Sequence, residues 1–159
     1  MASVAGVTFS GAVVAAALDL AEAEVEAVCA RLIRREQFIA ERGLFEWADG
    51  SASEGYEFRH ALYQEVLYRC IGAHRRLRLH RVIGERLEAG HGGGSATIAV
   101  ELAEHFEQGR EYRRAVRYHR LAGETALGRH ACREALAHLR RGLALLAHWP
   151  EDESKLHEK

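Results

Sequence analysis

Two stretches of this sequence lie over one another when shifted by twenty residues: EYRRAVRYHRLAGETAL at 111–127 and ACREALAHLRRGLALL at 131–146. The shift sets Ala115 over Ala135, Val116 over Leu136 and His119 over Leu139. Alanines at the crossing points with larger residues beside them let helices stack closely. This is the signature of an array of antiparallel helical hairpins. The pattern extends upstream, where Ile98, Leu102 and Phe106 fall on one face of a helix that Ser95 can cap. Pro150 and the acidic EDESKLHEK end the regular pattern, and the tail 148–159 is expected to be loose.

The first half reads differently. Ser10 can cap a helix running to Leu18, and Asp19 with Glu22 has the spacing of a reciprocal helix-start box. Val25, Val28, Leu32 and Ile33 then form an apolar helical face to about Glu36. Next come FIAERGLFEW and YEF around ADGSASEG, aromatic alternation on both sides of an Asp-Gly turn, which predicts a β-hairpin with a long tip. Helix, turn, helix, hairpin is the order of a winged-helix domain. That domain needs one more helix in front, and ASVAG is all the sequence offers, so the chain is expected to be a piece of something longer. Beyond the hairpin, 60–71 carries Leu62, Val66 and Cys70 on one face, and a second helix carries Leu77, His80, Ile83 and Leu87. The expected fold is mainly α. A winged-helix-like domain with a truncated first helix occupies 1–71, a connecting helix and glycine-rich linker 72–95, and TPR-like helical repeats 96–147.

Charge changes sign along the chain. Residues 1–55 hold four Arg against nine Asp and Glu, 56–89 hold seven Arg against four Glu, and 90–147 hold nine Arg against six Glu. The overall net charge of −1 argues against wholesale binding of a polyanion. The helix in the recognition position begins with Glu22, Glu24 and Glu26, and the hairpin tip offers Asp49 and Glu54. Both would meet phosphates with like charge, so a DNA-binding winged-helix transcription regulator stands as the alternative function and not the leading one. Arg75, Arg76, Arg78 and Arg81, and the cluster from Arg113 to Arg120, read as solvated faces or as docking faces for an acidic domain.

Enzymatic chemistry finds no footing. There is no GxxxxGK[ST]; GHGGGSAT at 90–97 has glycines but no lysine and reads as a linker. No serine has a nucleophile-elbow context, and no cysteine has a sequence-local activating partner. Glu101 with His105, and Cys132 with His138, lack paired metal-ligand spacing, so no metal is expected. His80 and His119 fall within apolar stripes and read as hydrogen-bonded core residues. Cys29, Cys70 and Cys132 are odd in number and without CxxC spacing, which points to buried thiols in a reducing compartment. Residues 2–18 are uncharged but lack the basic start of a signal peptide, and no stretch is long enough to span a bilayer. A cytoplasmic location is expected.

One stretch carries more. FEWADGSASEGYEFRHALYQEVLY, followed by RRLRLHRVIGERLEA and the paired helices, resembles the C-terminal half of STAND-type signalling ATPases over residues 2–147. In these bacterial regulators a nucleotide-binding domain precedes a winged helix and tetratricopeptide-like repeats, often fused to a cyclase or transcription-activator domain. Arg59-His60-Ala61 also resembles the MHD motif of the immune-receptor ATPases, with Ala61 where that motif has Asp. The resemblance implies that His60, assisted by Arg59, senses the β-phosphate of ADP in a parent ATPase. It implies as partners the parent's nucleotide-binding domain and a protein or peptide ligand on the repeats, with self-association open to any copy exposing apolar surface. Read from the residues alone, His60 equally suits a cap or a ring packed under the hairpin.

Overall fold

The structure, a computed structural model, describes residues 1–48, 50–92 and 95–148, so Asp49, Gly93, Gly94 and the expected tail beyond His148 lie outside the described residues. It is mainly helical with one small antiparallel sheet, and it divides into two compact units, Met1–Ser95 and Ala96–Lys159.

The first unit runs α1 (Ala2–Ala5), β1 (Thr8–Ser10), α2 (Gly11–Leu18), α3 (Glu22–Arg34), β2 (Ile39–Glu46), β3 (Ala52–Phe58), α4 (Ala61–Arg69) and α5 (Ala73–His91). Ser10 caps α2 as expected, its Oγ accepting from Val13 N–H at 3.2 Å. Asp19 does not start α3. It takes a left-handed conformation (φ 56) that closes α2, and the Glu24 carboxylate instead accepts from Ala21 N–H at 3.1 Å. The sheet order is β1-β3-β2, with Phe9 opposite Tyr56 and Ile39 opposite Phe58. β1 was not expected. It supplies Phe9, whose ring lies 5.6 Å from both Tyr56 and Phe58 in the buried layer under α2 and α3. Much of the expected long tip is strand: β3 begins at Ala52, leaving only a tight turn after Trp47. Ser53, Gly55, Tyr56 and Phe58 of β3 are buried, Tyr56 and Phe58 on the face that meets Phe9 and Ser53 and Gly55 on the opposite one, so both faces draw this part of the sequence into the ladder.

The expected connector, α5, lies within this unit. It packs against α2 and buries Leu79, His80, Ile83 and Leu87. Gly90 does not break it. Trp47 from the end of β2 is buried there, donating from Nε1 to Ser53 Oγ at 3.2 Å, while the Arg86 guanidinium covers its ring at 4.4 Å and His91 meets it edge-on. Ala48 N–H closes the seat by donating to Gly90 O at 3.1 Å. A Cβ on Gly90 would stand 2.3 Å from Trp47 Cε3, so only glycine admits the ring this close.

The second unit is α6 (Ala99–Gln108), α7 (Tyr112–Gly128) and α8 (Cys132–Leu146), with α7 packed against both neighbours. Ser95 does not cap α6, which begins after Ile98; its hydroxyl donates to Gly92 O. Leu102, Ala103 and Phe106 meet Ala115 and Tyr118 with the Phe106 and Tyr118 rings stacked 5.6 Å apart. The twenty-residue shift reappears in the turns. Arg110 and His130 are both left-handed (φ 59 in each), and the following amides, Glu111 and Ala131, reach back to Phe106 O and Ala126 O at 2.8 and 2.9 Å. Identical turns set the same spacing between successive helices. Gly109 sits one place before the left-handed position, so arginine occupies the site that favours glycine.

Two stability changes follow. Alanine for glycine inside a helix ordinarily stabilises by about 1 kcal/mol, but Gly90→Ala is expected to destabilise the first unit by about 2 kcal/mol through overpacking against Trp47; urea unfolding followed by circular dichroism reads the sign. Arg110→Gly is expected to stabilise the second unit by about 1 kcal/mol by relieving the left-handed arginine, seen as a higher thermal midpoint.

Candidate functional site

Arg59 and His60 stand where β3 passes into α4. Phe58 ends the strand with its side chain buried and its N–H donating to Val7 O at 2.9 Å. Arg59 N–H donates to Phe38 O at 2.8 Å and its guanidinium to Glu36 O at 3.2 Å. Both carbonyls belong to the link between α3 and β2, where Glu36 and Phe38 are left-handed (φ 51 and 62). Arg59 therefore braces a strained connection while its side chain stays exposed.

His60 is the N-cap residue of α4 in extended conformation (φ −141, ψ 134), and its side chain makes no capping hydrogen bond. It does not pack under the hairpin either: the residue is exposed, its ring meeting Tyr63 edge-on at 5.4 Å, and Tyr63 in turn meets Phe38 at 5.3 Å. The imidazole thus stands at the mouth of a helix whose first-turn amides favour an anion. Ala61, the first helical residue, adds no carboxylate there.

α4 departs from expectation in what it buries. The face with Leu62, Val66 and Cys70 looks outward, with Leu62 64% and Val66 51% exposed, and no residue of α4 is buried. Polar anchors hold the helix instead. Gln64 Nε2 donates to Ser3 O at 2.6 Å, and Tyr68 Oη shares a hydrogen bond of 3.0 Å with His80 Nε2 of α5. Arg76 covers the Tyr68 ring at 5.0 Å. Beside α4 opens a half-enclosed apolar groove of about 650 Å³, with Val28, Leu32, Phe38, Leu67 and Ile71 among its walls and Cys29 within it.

His80 is a buried titratable group of this region. Burial, reinforced by the nearby Arg76, lowers its pKa from 6.5 to about 4, so it is neutral at pH 7. Burial likewise pushes the Cys29 thiol up to about 11, which makes it inert as a nucleophile. Cys29 alone matches the expectation of buried thiols; Cys70 and Cys132 are exposed, on the outward sides of α4 and α8.

In the second unit a polar spine runs across three helices, with no counterpart in the residue pattern. The Arg141 guanidinium of α8 embraces the Glu107 carboxylate of α6, with Nε 3.0 and 2.9 Å from its two oxygens, and holds its pKa below the ordinary carboxylate range. His119 of α7, buried, lies with Nε2 3.1 Å from Glu107 Oε2 and Nδ1 3.3 Å from His138 Nδ1. Facing a carboxylate, His119 Nε2 must carry a proton, and one of the two Nδ1 atoms donates to the other. His80 and His119 are thus both hydrogen-bonded core residues. Separations of 12 and 34 residues between spine partners leave no local pattern to read.

Among the described residues no group of three or more His, Cys, Asp or Glu side chains is placed to hold a metal ion, and no helix is long and apolar enough to cross a membrane. No protein-family model, curated protein or solved structure matches the chain.

Because the unfolded chain binds a proton at His80 that the folded one refuses, stability is expected to fall as pH drops from 6.5 toward about 4. The loss amounts to roughly 3 kcal/mol over that window. His80→Gln keeps a hydrogen-bonding side chain without the titration, so denaturant unfolding of this variant at pH 7 and pH 4.5 should show a smaller difference. An unchanged difference would acquit His80.

Proposed function

We propose that this chain is a non-enzymatic regulatory and protein-interaction module of a larger STAND-type signalling or transcription-regulating ATPase, acting in the cytoplasm. The observation that carries the reading is the setting of Arg59 and His60. Both are exposed at the start of α4, with the imidazole making no cap bond and the arginine bracing the α3–β2 link. A β-phosphate docked there would meet first-turn amides, an imidazole and a guanidinium, three donors suited to an anion. ADP would come from the parent's nucleotide-binding domain.

The outward apolar residues of α4 and the groove beside it suit a surface that is covered in one arrangement of the parent protein and open in another. Two such states need only differ by a few kcal/mol for bound nucleotide to select between them. The helical repeats serve as a second platform, for a protein or peptide ligand.

In the full-length protein, His60→Ala is expected to speed ADP release about tenfold, the equivalent of one charge-assisted hydrogen bond, and to raise output without stimulus. The co-purified nucleotide and the basal signal measure this. ADP retention and output both equal to wild type would remove His60 from the mechanism.

A further inference from the structure

We infer that the outer face of α8 is a docking surface for the outer face of α6 of a second copy of this chain. The assignment rests on the second unit alone and is independent of the nucleotide-sensing reading.

On α8, residues 133, 136, 137, 140, 143 and 144 form one helical stripe, and every one is exposed. Its large members are Leu136 and Leu143, 48% and 67% exposed, and Arg133 and Arg140 flank them. Its small members, Ala137 and Ala144, are spaced seven apart, as are Ala115 and Ala122, with which α7 makes close contact inside the unit. The stripe has the small-and-large texture of a buried face of this array, yet it is uncovered. It contains no carboxylate. Glu134, the one acid of α8, lies off it beside Arg129 at 3.8 Å.

The outer face of α6 is its complement. Val100 and Glu104 are exposed there with Glu101, and the helix contains neither lysine nor arginine. An α6 laid along the α8 stripe would set Val100 among the leucines and Glu104 between Arg133 and Arg140, which stand about 10 Å apart along the axis. Extended arginines reach across that interval. α7 separates the two faces within one copy, so the contact joins the end of one row to the start of the next. Such a contact is heterologous, so a pair formed through it leaves one face of each kind open to a further copy.

Sedimentation velocity of the full chain from micromolar to millimolar concentration tests this. The average mass is expected to climb steadily with concentration instead of stopping at a dimer, and to climb less at high salt, because exposed Arg–Glu pairs are screened. Arg140→Glu and Glu104→Arg should each weaken association at least tenfold. The double variant, carrying both reversals, should recover it, which also shows that the surface changes leave the fold intact. A chain that stays monomeric throughout overturns the inference. So does association that persists in Arg140→Glu, or that the double variant fails to recover.

Discussion

The seat of Trp47 on Gly90 is the contact on which the first unit depends. A two-stranded hairpin joined by one three-residue strand is marginal in isolation. Here the indole at the hairpin's end is sunk against α5, roofed by Arg86 and tied by Ala48 to the carbonyl of Gly90. A cation over an indole in a partly buried setting contributes about 1 kcal/mol beyond the area it covers. The larger effect is topological. α5 holds the hairpin at one end through Trp47 and holds α4 at the other through the bond between His80 and Tyr68. α4 follows β3 directly through Arg59 and His60. Strand, junction, helix and hairpin tip therefore form a closed circuit, and the junction cannot shift without disturbing the Trp47 seat or the His80 bond.

The second unit is fastened by other means. Its apolar core sets alanines and flat rings beside two buried leucines, Leu102 and Leu145, a small-residue packing that allows close approach but specifies rotation about the helix axes weakly. The spine of Glu107, His119, His138 and Arg141 supplies that specification, one or two residues from each helix in a fixed hydrogen-bonding order. Removing Glu107 would leave the buried Nε2 of His119 without its partner, which costs more than the bond itself contributes.

What the sequence made legible follows physical range. Helices with an apolar period were readable, and the twenty-residue shift was readable because each turn repeats the same local hydrogen bonds at 110 and 130. Thr8 to Ser10 was not, since three residues in an uncharged run carry no period of their own and become a strand only by pairing with β3. The leucine and valine of α4 were seen as a face, but periodicity cannot say which side of a helix a neighbour occupies; polar anchors at Gln64 and Tyr68 decided it. Gly90 looked like a breaker because its reason for being glycine is a ring 43 residues away in sequence. That a helix begins at His60 was legible from the residues, whereas the lack of any capping bond from its side chain is a matter of geometry alone.

The two units leave apolar surface uncovered in different chemical company, and this has consequences for how each can recognise a partner. The groove beside α4 is walled by aliphatic and aromatic side chains. Burial there gives affinity that salt scarcely changes and that depends on shape more than on orientation. The α8 stripe alternates leucine with arginine, so part of the attraction in the docking proposed for it would act at a distance and set the partner's register before contact. An apolar groove selects for volume; a charged stripe selects for sequence. A chain docking through both would hold one partner by shape and admit the other only in a defined alignment, and a change of ionic strength would separate the two without altering the fold.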